Sequence, residues 1–231
     1  MIFEQLFDPE TSTYTYLIGD EAERVCVLID PVREQVNRDL DRIRALGLKL
    51  LRTLETHIHA DHVTGGAELG ARTGSIPVLS ETSPVSCEAV RVHHGSEVSV
   101  GNICIHVLAT PGHTPESVSF LVDGSPMRVL TGDALLIGGC GRTDFQGGDA
   151  GALYDSVHHH LFTLPDETLV FPAHDYQGRT SSTIGREKES NSRFVGRTRE
   201  EFVDFMNRLD LPPPKKIQEA LPANLACGKS S

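Results

Sequence analysis

The segment Thr56-His57-Ile58-His59-Ala60-Asp61-His62 packs three imidazoles and one carboxylate into the six positions from 57 to 62. In an extended backbone alternate side chains share a face, so His57 and His59 point the same way. Asp61 and His62 follow at the turn into a helix start marked by Gly65-Gly66. Imidazole with carboxylate is a donor set for zinc, iron or manganese. A solvated polar loop is the plain alternative, but it leaves unexplained why ligand-type residues crowd between a strand and a glycine-rich helix start. Three later residues fit as partners. Thr110-Pro111-Gly112-His113-Thr114 puts a histidine in a tight turn, Thr131-Gly132-Asp133 a carboxylate after an apolar run, and Phe171-Pro172-Ala173-His174-Asp175 another histidine at a strand end. Each alone reads as an ordinary turn residue. Together they fall where strands stop and loops begin, which is where α/β folds assemble sites.

Short apolar runs bounded by turn residues supply the elements that position these side chains. Tyr14 to Ile18, Val25 to Ile29 and Leu50 to Glu55 read as strands, and Ile76 to Leu79 as extended. Pro31 opens a helical pattern carrying Val36, Leu40, Ile43 and Leu46 on one face, with Gly47 as its stop. Gly65 to Arg72 reads as a second helix. The stretch from Ser96 to Leu130 is strand-rich, with Ile103, Ile105 and Val107 on one face and Val118, Phe120 and Val122 alternating with their neighbours. Asp149 to Phe162 reads as a helix, Thr168 to Phe171 as a strand, and Glu200 to Leu209 as a helix ahead of the Pro212-Pro213-Pro214 stop. Residues 178 to 196 read as a long loop or irregular helix. Strands alternating with helices define an α/β layered chain. It is expected to form one domain over residues 1–231 with a short helical tail from about 199.

Composition bounds the function. The chain has 231 residues, with Lys plus Arg at 21 against Asp plus Glu at 32, for a net charge of −11. A phosphate-backbone binder carries the opposite sign, at least locally, and no Lys/Arg run occurs, so nucleic acid is excluded as a partner. No apolar run approaches the roughly 18 residues of a membrane span, and MIFEQLFDPE has neither a basic nor an apolar leader region. Cys26, Cys87, Cys104, Cys140 and Cys227 form no C-x-x-C pair. That odd count points to five free thiols in a reducing compartment. The cytoplasm is the expected location, with an organelle matrix after loss of a transit segment as the other option. The remaining histidines take plain readings: His93 and His94 in a loop, His106 hydrogen-bonded in a strand, and His158 to His160 on a helix surface or a homodimer contact.

The ordered set His57-x-His59-x-Asp61-His62, His113, Asp133 and His174 resembles the metallo-β-lactamase fold family from the first strand to His174. The resemblance implies an αββα sandwich of two mixed sheets flanked by helices, with the metal site at one edge. Three features separate its branches. Gly138-Gly139-Cys140-Gly141-Arg142-Thr143-Asp144-Phe145-Gln146 resembles the glycine-rich loop of persulfide dioxygenases, Tyr176 follows His174-Asp175 as in that group, and the end Leu221-Pro222-Ala223-Asn224-Leu225-Ala226-Cys227-Gly228 is similar to their C-terminus. The tail after His174 is short for the helical substrate-binding extension of glyoxalase II.

Resemblance to persulfide dioxygenases implies oxidation of the terminal sulfur of glutathione persulfide by O2, yielding sulfite and glutathione. It implies one Fe(II) held by His57, His113 and Asp133, a two-histidine, one-carboxylate set with positions left open for substrate and O2. His59, Asp61, His62 and His174 then become neighbours of the iron ligands, or the remnant of a second metal site. The other reading is a glyoxalase II-like thioesterase with two metals that hydrolyses S-D-lactoylglutathione. Glutathione carries two carboxylates, so cations are expected on the rim. Arg142 is the first candidate, with a structural pair to Asp144 or Asp149 as its alternative. Tyr176 could present its hydroxyl to substrate. Lys188 and Arg193 could reach the glutathione carboxylates, although Asn191-Ser192-Arg193 stands where the family often shows Asn-Pro-Arg. Cys140 reads as structural and Cys227 as oxidisable.

Overall fold

A computed structural model describes residues 1–214 and 216–228. Twelve strands form two six-stranded mixed sheets. The first holds β1 (Ile2–Asp8), β2 (Thr13–Asp20), β3 (Val25–Ile29), β4 (Lys49–Leu54), β5 (Ile76–Ser80) and β6 (Val90–Val92) in chain order. Its first three strands are antiparallel, and β3 to β6 run parallel. The second holds β7 (Glu97–Val100), β8 (Ile103–Ala109), β9 (Val118–Val122), β10 (Arg128–Gly132), β11 (Leu169–Pro172) and β12 (Ser182–Thr183), again in order. β10 and β11 run parallel, so both end at the same edge of the sheet.

The described residues divide into two compact units, one of 1–92, 97–105 and the described part of 213–228, the other of 93–96 and 106–212. In the first, α1 (Val36–Ala45) and α2 (Gly66–Thr73) cover the first sheet. Val36, Leu40 and Ile43 recur at helical spacing and meet Leu17, Cys26, Leu28 and Leu50 in one buried cluster. In the second, α3 (Ala150–Ser156), α4 (Ile184–Ser190) and α5 (Arg199–Asn207) pack on the second sheet. Leu153, Ile184, Phe202 and Met206 bury against Val129 and Val170. The cap of α5 is reciprocal: Thr198 accepts from the Glu201 amide while the Glu201 carboxylate accepts from the Thr198 amide.

Several elements differ from the sequence-based expectation. β1 goes unforeseen because its apolar residues fall in adjacent pairs, Ile2-Phe3 and Leu6-Phe7, not in alternation. The helix from Asp149 does not stay regular; Phe162 N–H reaches the Val157 carbonyl at 2.7 Å, a widened turn over 157–161. His158 of that turn stacks on Tyr154, and His160 meets His94. The region 178–196 contains β12 and α4. A sixth helix, α6 (Ile217–Leu225), follows the proline stop. Not all five thiols are free, because Cys87 and Cys227 form a disulfide, while Cys26, Cys104 and Cys140 stay reduced. A separation of 140 residues hides that pairing from any local spacing rule. Among the described residues no helix is long and apolar enough to cross a membrane.

Candidate metal centre

The first unit carries the histidine cluster on the loop between β4 and α2. His57, His59 and His62 are buried, with ring centroids of 4.1 Å between His57 and His59 and 4.3 Å between His59 and His62. His59, Asp61 and His62 bring ligand atoms within 4.8 Å of one another. Asp30, at the end of β3 in a left-handed conformation (φ +51°), organises this loop from below. Its carboxylate accepts from the Thr56 amide at 2.7 Å and the Thr56 hydroxyl at 2.8 Å, and lies 3.2 Å from His59 Nε2. With its one proton given to Asp30, the Thr56 hydroxyl accepts from His57 Nδ1 at 2.9 Å. That relay leaves His57 Nε2 as the lone-pair nitrogen, the tautomer a metal ligand needs.

Two buried carboxyl groups, Asp30 and Glu55, crowd beneath the loop, and of the two Glu55 is the one that keeps its proton at neutral pH. Burial pushes the Glu55 carboxyl up to about 8, and the charge of Asp30 adds to that shift. Burial by itself lowers His59, but Asp30 first, then Asp61 and Glu55, outweigh it and raise the imidazole to about 9. The surroundings therefore favour positive charge at this loop, whether a proton or a cation carries it.

The second unit carries His113, Asp133 and His174 at the carboxyl ends of β8, β10 and β11. Parallel pairing of β10 and β11, extended by the Ala173 amide donating to the Gly132 carbonyl at 3.0 Å, brings Asp133 and His174 to one edge. His113 Nε2 stands 3.6 Å from Asp133 Oδ2, and His174 Nε2 stands 3.7 Å from Asp133 Oδ1. These separations exceed hydrogen-bond length. Asp133 Oδ1 is buried and has no hydrogen-bond partner, a costly state unless something else neutralises it. His113 Nδ1 lies 2.7 Å from the Arg142 carbonyl, which makes it the protonated nitrogen and leaves Nε2 toward Asp133. A buried, unpaired carboxylate oxygen beside two imidazoles fits a cation.

The glycine-rich loop packs against His113 and Asp133. The Gly141 amide donates to the Asp133 carbonyl at 2.7 Å. A methyl on Gly141 would sit 2.8 Å from His113 Nδ1 and 2.8 Å from Asp133 Cβ, so the loop approaches both residues as only glycine permits. Glu187, buried on α4, accepts from the Gly138 amide at 2.8 Å, and Asn191 donates to the Gly139 carbonyl at 3.0 Å. The loop is therefore held from behind by the segment that the sequence shows only as polar.

The four rim candidates take different positions. Arg142 pairs with Asp144 through two 2.7 Å contacts, donates to the Pro212 and Leu211 carbonyls, and lies over the Phe145 ring. Lys188 pairs with Asp166 at 2.6 Å. Arg193 lies over the Phe205 ring at 5.1 Å. Tyr176 is 74% exposed, its ring stacked toward His174 at 6.2 Å. Cys140 is buried against Met206, and burial pushes its thiol up to about 12, which suits a packing role. Residues absent from the sequence-based set are Asp30, Thr56, Glu55 and Asn224. Thr56 and Glu55 sit beside His57 in sequence and could be noticed there; Asp30 and Asn224 reach the loop only through the fold.

Comparison with known proteins places this arrangement. The model of the metallo-beta-lactamase superfamily matches residues 8–83 and 88–174, a span that takes in His57, His59, Asp61, His62, His113, Asp133 and His174. The chain belongs to the metallo-beta-lactamase superfamily. Within it, the chain is 46% identical to "Persulfide dioxygenase ETHE1, mitochondrial" of Mus musculus over 229 residues, covering 99% of this chain and 89% of that protein. The Homo sapiens protein of the same name is 45% identical over the same shares. Among solved structures, ETHE1 from Myxococcus xanthus is 57% identical with a TM-score of 0.96, covering 99% of this chain and all of that one. A metallo-beta-lactamase from Staphylococcus aureus is 29% identical with a TM-score of 0.89, over 97% of this chain and 71% of that one.

Proposed function

We propose that the chain is a persulfide dioxygenase that binds one Fe(II) and converts glutathione persulfide, O2 and water to glutathione and sulfite. The reading treats the whole chain as one metallo-β-lactamase-like domain. The observation that carries it is the buried Asp133 Oδ1 without a hydrogen-bond partner, set beside His113 and His174, in a chain similar to persulfide dioxygenases along its full length. His57, His113 and Asp133 are the proposed ligands. Iron in this set supplies redox access to O2, which closed-shell zinc lacks. The chain's own groups do the rest. Thr56 and the Arg142 carbonyl hold the Nδ1 protons of His57 and His113, so both imidazoles face the metal as neutral donors. Asp30 supplies the countercharge beneath the loop. His59, Asp61, His62 and His174 are assigned to orienting the ligands and bound solvent.

For the substrate, Tyr176 is the proposed contact at the rim, since it is exposed beside His174. Arg142 is assigned to holding the loop, its fork already engaged by Asp144 and two carbonyls. Lys188 and Arg193 are proposed to set the charge of the rim. The likeness to proteins named mitochondrial suits an organelle matrix, and the bacterial cytoplasm suits the same chemistry. One experiment tests the function: O2 uptake by the Fe(II)-loaded protein given glutathione persulfide, with sulfite measured. Uptake matched by sulfite is expected. Bound iron without uptake, together with hydrolysis of S-D-lactoylglutathione, would overturn it in favour of the two-metal thioesterase that the His59-Asp61-His62 cluster could serve.

A further inference from the structure

The last helix grips the loop that carries His57 to His62. Asn224 of α6 is 5% exposed, and its side chain meets that loop at three points. Its Nδ2 donates to the carbonyls of His59 and His62, each at 2.8 Å, and its Oδ1 accepts from the Thr64 amide at 2.9 Å. These are backbone groups of an irregular segment, outside any sheet ladder, and an amide side chain can satisfy donor and acceptor together. Four residues on, Gly228 (φ +74°) lies so close that a methyl there would stand 2.7 Å from the Thr64 carbonyl. Leu221 and Cys227 pack on the cluster of Ile58, Leu79 and Val85.

What holds α6 in place is less regular. It is nine residues long with Pro222 inside, too short to be stable alone. Its ion pairs, Lys216 with Glu10 and Arg33 with Glu219, lie at the surface, where such pairs contribute little. The covalent tie is Cys87–Cys227, three residues beyond Asn224, joining the tail to the segment between β5 and β6. Both cysteines are half-buried, neither enclosed in the core.

We propose that α6 is a thiol-sensitive clamp on the histidine loop, in which Asn224 is the positioning residue and the Cys87–Cys227 disulfide is its latch. Opening is ordinary thiol–disulfide exchange. One thiolate attacks a sulfur of the pair and forms a mixed disulfide, a second thiol releases it, and two thiols become one disulfide as two protein thiols form. The two electrons come from the small thiols, with glutathione as the probe. Retention of metal rests on the reading of His57 as a ligand, whereas hydrogen exchange of the loop reads the clamp without it.

The test compares full-length, iron-loaded protein before and after treatment with reduced glutathione. Measured are free thiols, amide exchange over residues 56–66, and the rate of iron transfer to a ferrous chelator. Reduction is expected to expose two further thiols, accelerate exchange at Thr64, and speed iron loss about tenfold. Cys87→Ser is expected to show the fast rates with and without glutathione. Asn224→Ala is expected to show them with the disulfide intact; if it does not fold, the Cys87→Ser comparison decides alone. Equal exchange in oxidised, reduced and Cys87→Ser protein would overturn the clamp, as would free Cys87 and Cys227 in untreated protein. Faster exchange with unchanged iron loss would keep the clamp and count against His57 as a ligand.

Discussion

His113 Nδ1 lies 2.7 Å from the main-chain carbonyl of Arg142, a residue 29 positions later. The contact ties the imidazole of a proposed metal ligand to the backbone of the glycine-rich loop, and Arg142 fixes that backbone through Asp144 and the Leu211 and Pro212 carbonyls. Geometry at His113 therefore depends on residues that need not touch a ligand.

Removing a ligand should abolish binding and turnover together. His113→Ala and Asp133→Ala are expected to lose iron and to lower activity by more than about 100-fold, beyond the usual cost of a neighbouring contact. Metal analysis beside O2 uptake checks this, and full iron with full activity in either variant would rule out the proposed set.

Gly141→Ala should weaken the site without adding charge. Its methyl meets His113 Nδ1 and Asp133 Cβ at 2.8 Å, so the loop must retreat and take the hydrogen bond to the Asp133 carbonyl with it. A loss of iron affinity of about 10- to 100-fold is expected by chelator competition. Unchanged affinity would mean that the loop shifts freely.

Arg142→Lys should not be conservative. A lysine cannot pair in two places with Asp144 and also reach two carbonyls. A loss of about 1–2 kcal/mol in urea unfolding is expected, with kcat falling more than KM rises, because the change acts through His113. A selective rise in KM would return Arg142 to the substrate rim.

Stability should depend on pH through Asp39. It is fully buried on α1 with one oxygen unpartnered, and burial raises its carboxyl to about 6 despite Arg38 beside it. The native state therefore holds this proton more tightly than the unfolded chain. Its contribution is complete below the unfolded value near 3.8 and is lost as pH rises through about 6. The difference amounts to roughly 3 kcal/mol. Asp39→Asn should remove that slope and be the more stable protein at pH 7.5. Parallel stability profiles for the two proteins between pH 4 and 7.5 would contradict this.

Much of this protein was legible before any fold was known. Alternation and helical spacing located most strands and helices because burial on one face imposes a period. The candidate site stood out because three imidazoles and a carboxylate within the 57–62 segment have few structural explanations, and the ordered partners His113, Asp133 and His174 sit at strand ends. Their supports were not legible. Asp30 reaches His59 because β3 and β4 run side by side, the Arg142 carbonyl reaches His113 because the glycine-rich loop folds back, and Asn224 reaches His59 across 165 residues. A free thiol and one bonded to a distant partner look alike in a sequence, so the Cys87–Cys227 disulfide was also out of reach. Residue type and spacing determine which atoms can bind a metal. Tautomer, countercharge and rigidity come from hydrogen bonds between segments far apart in the chain, and only the tertiary fold decides which segments meet.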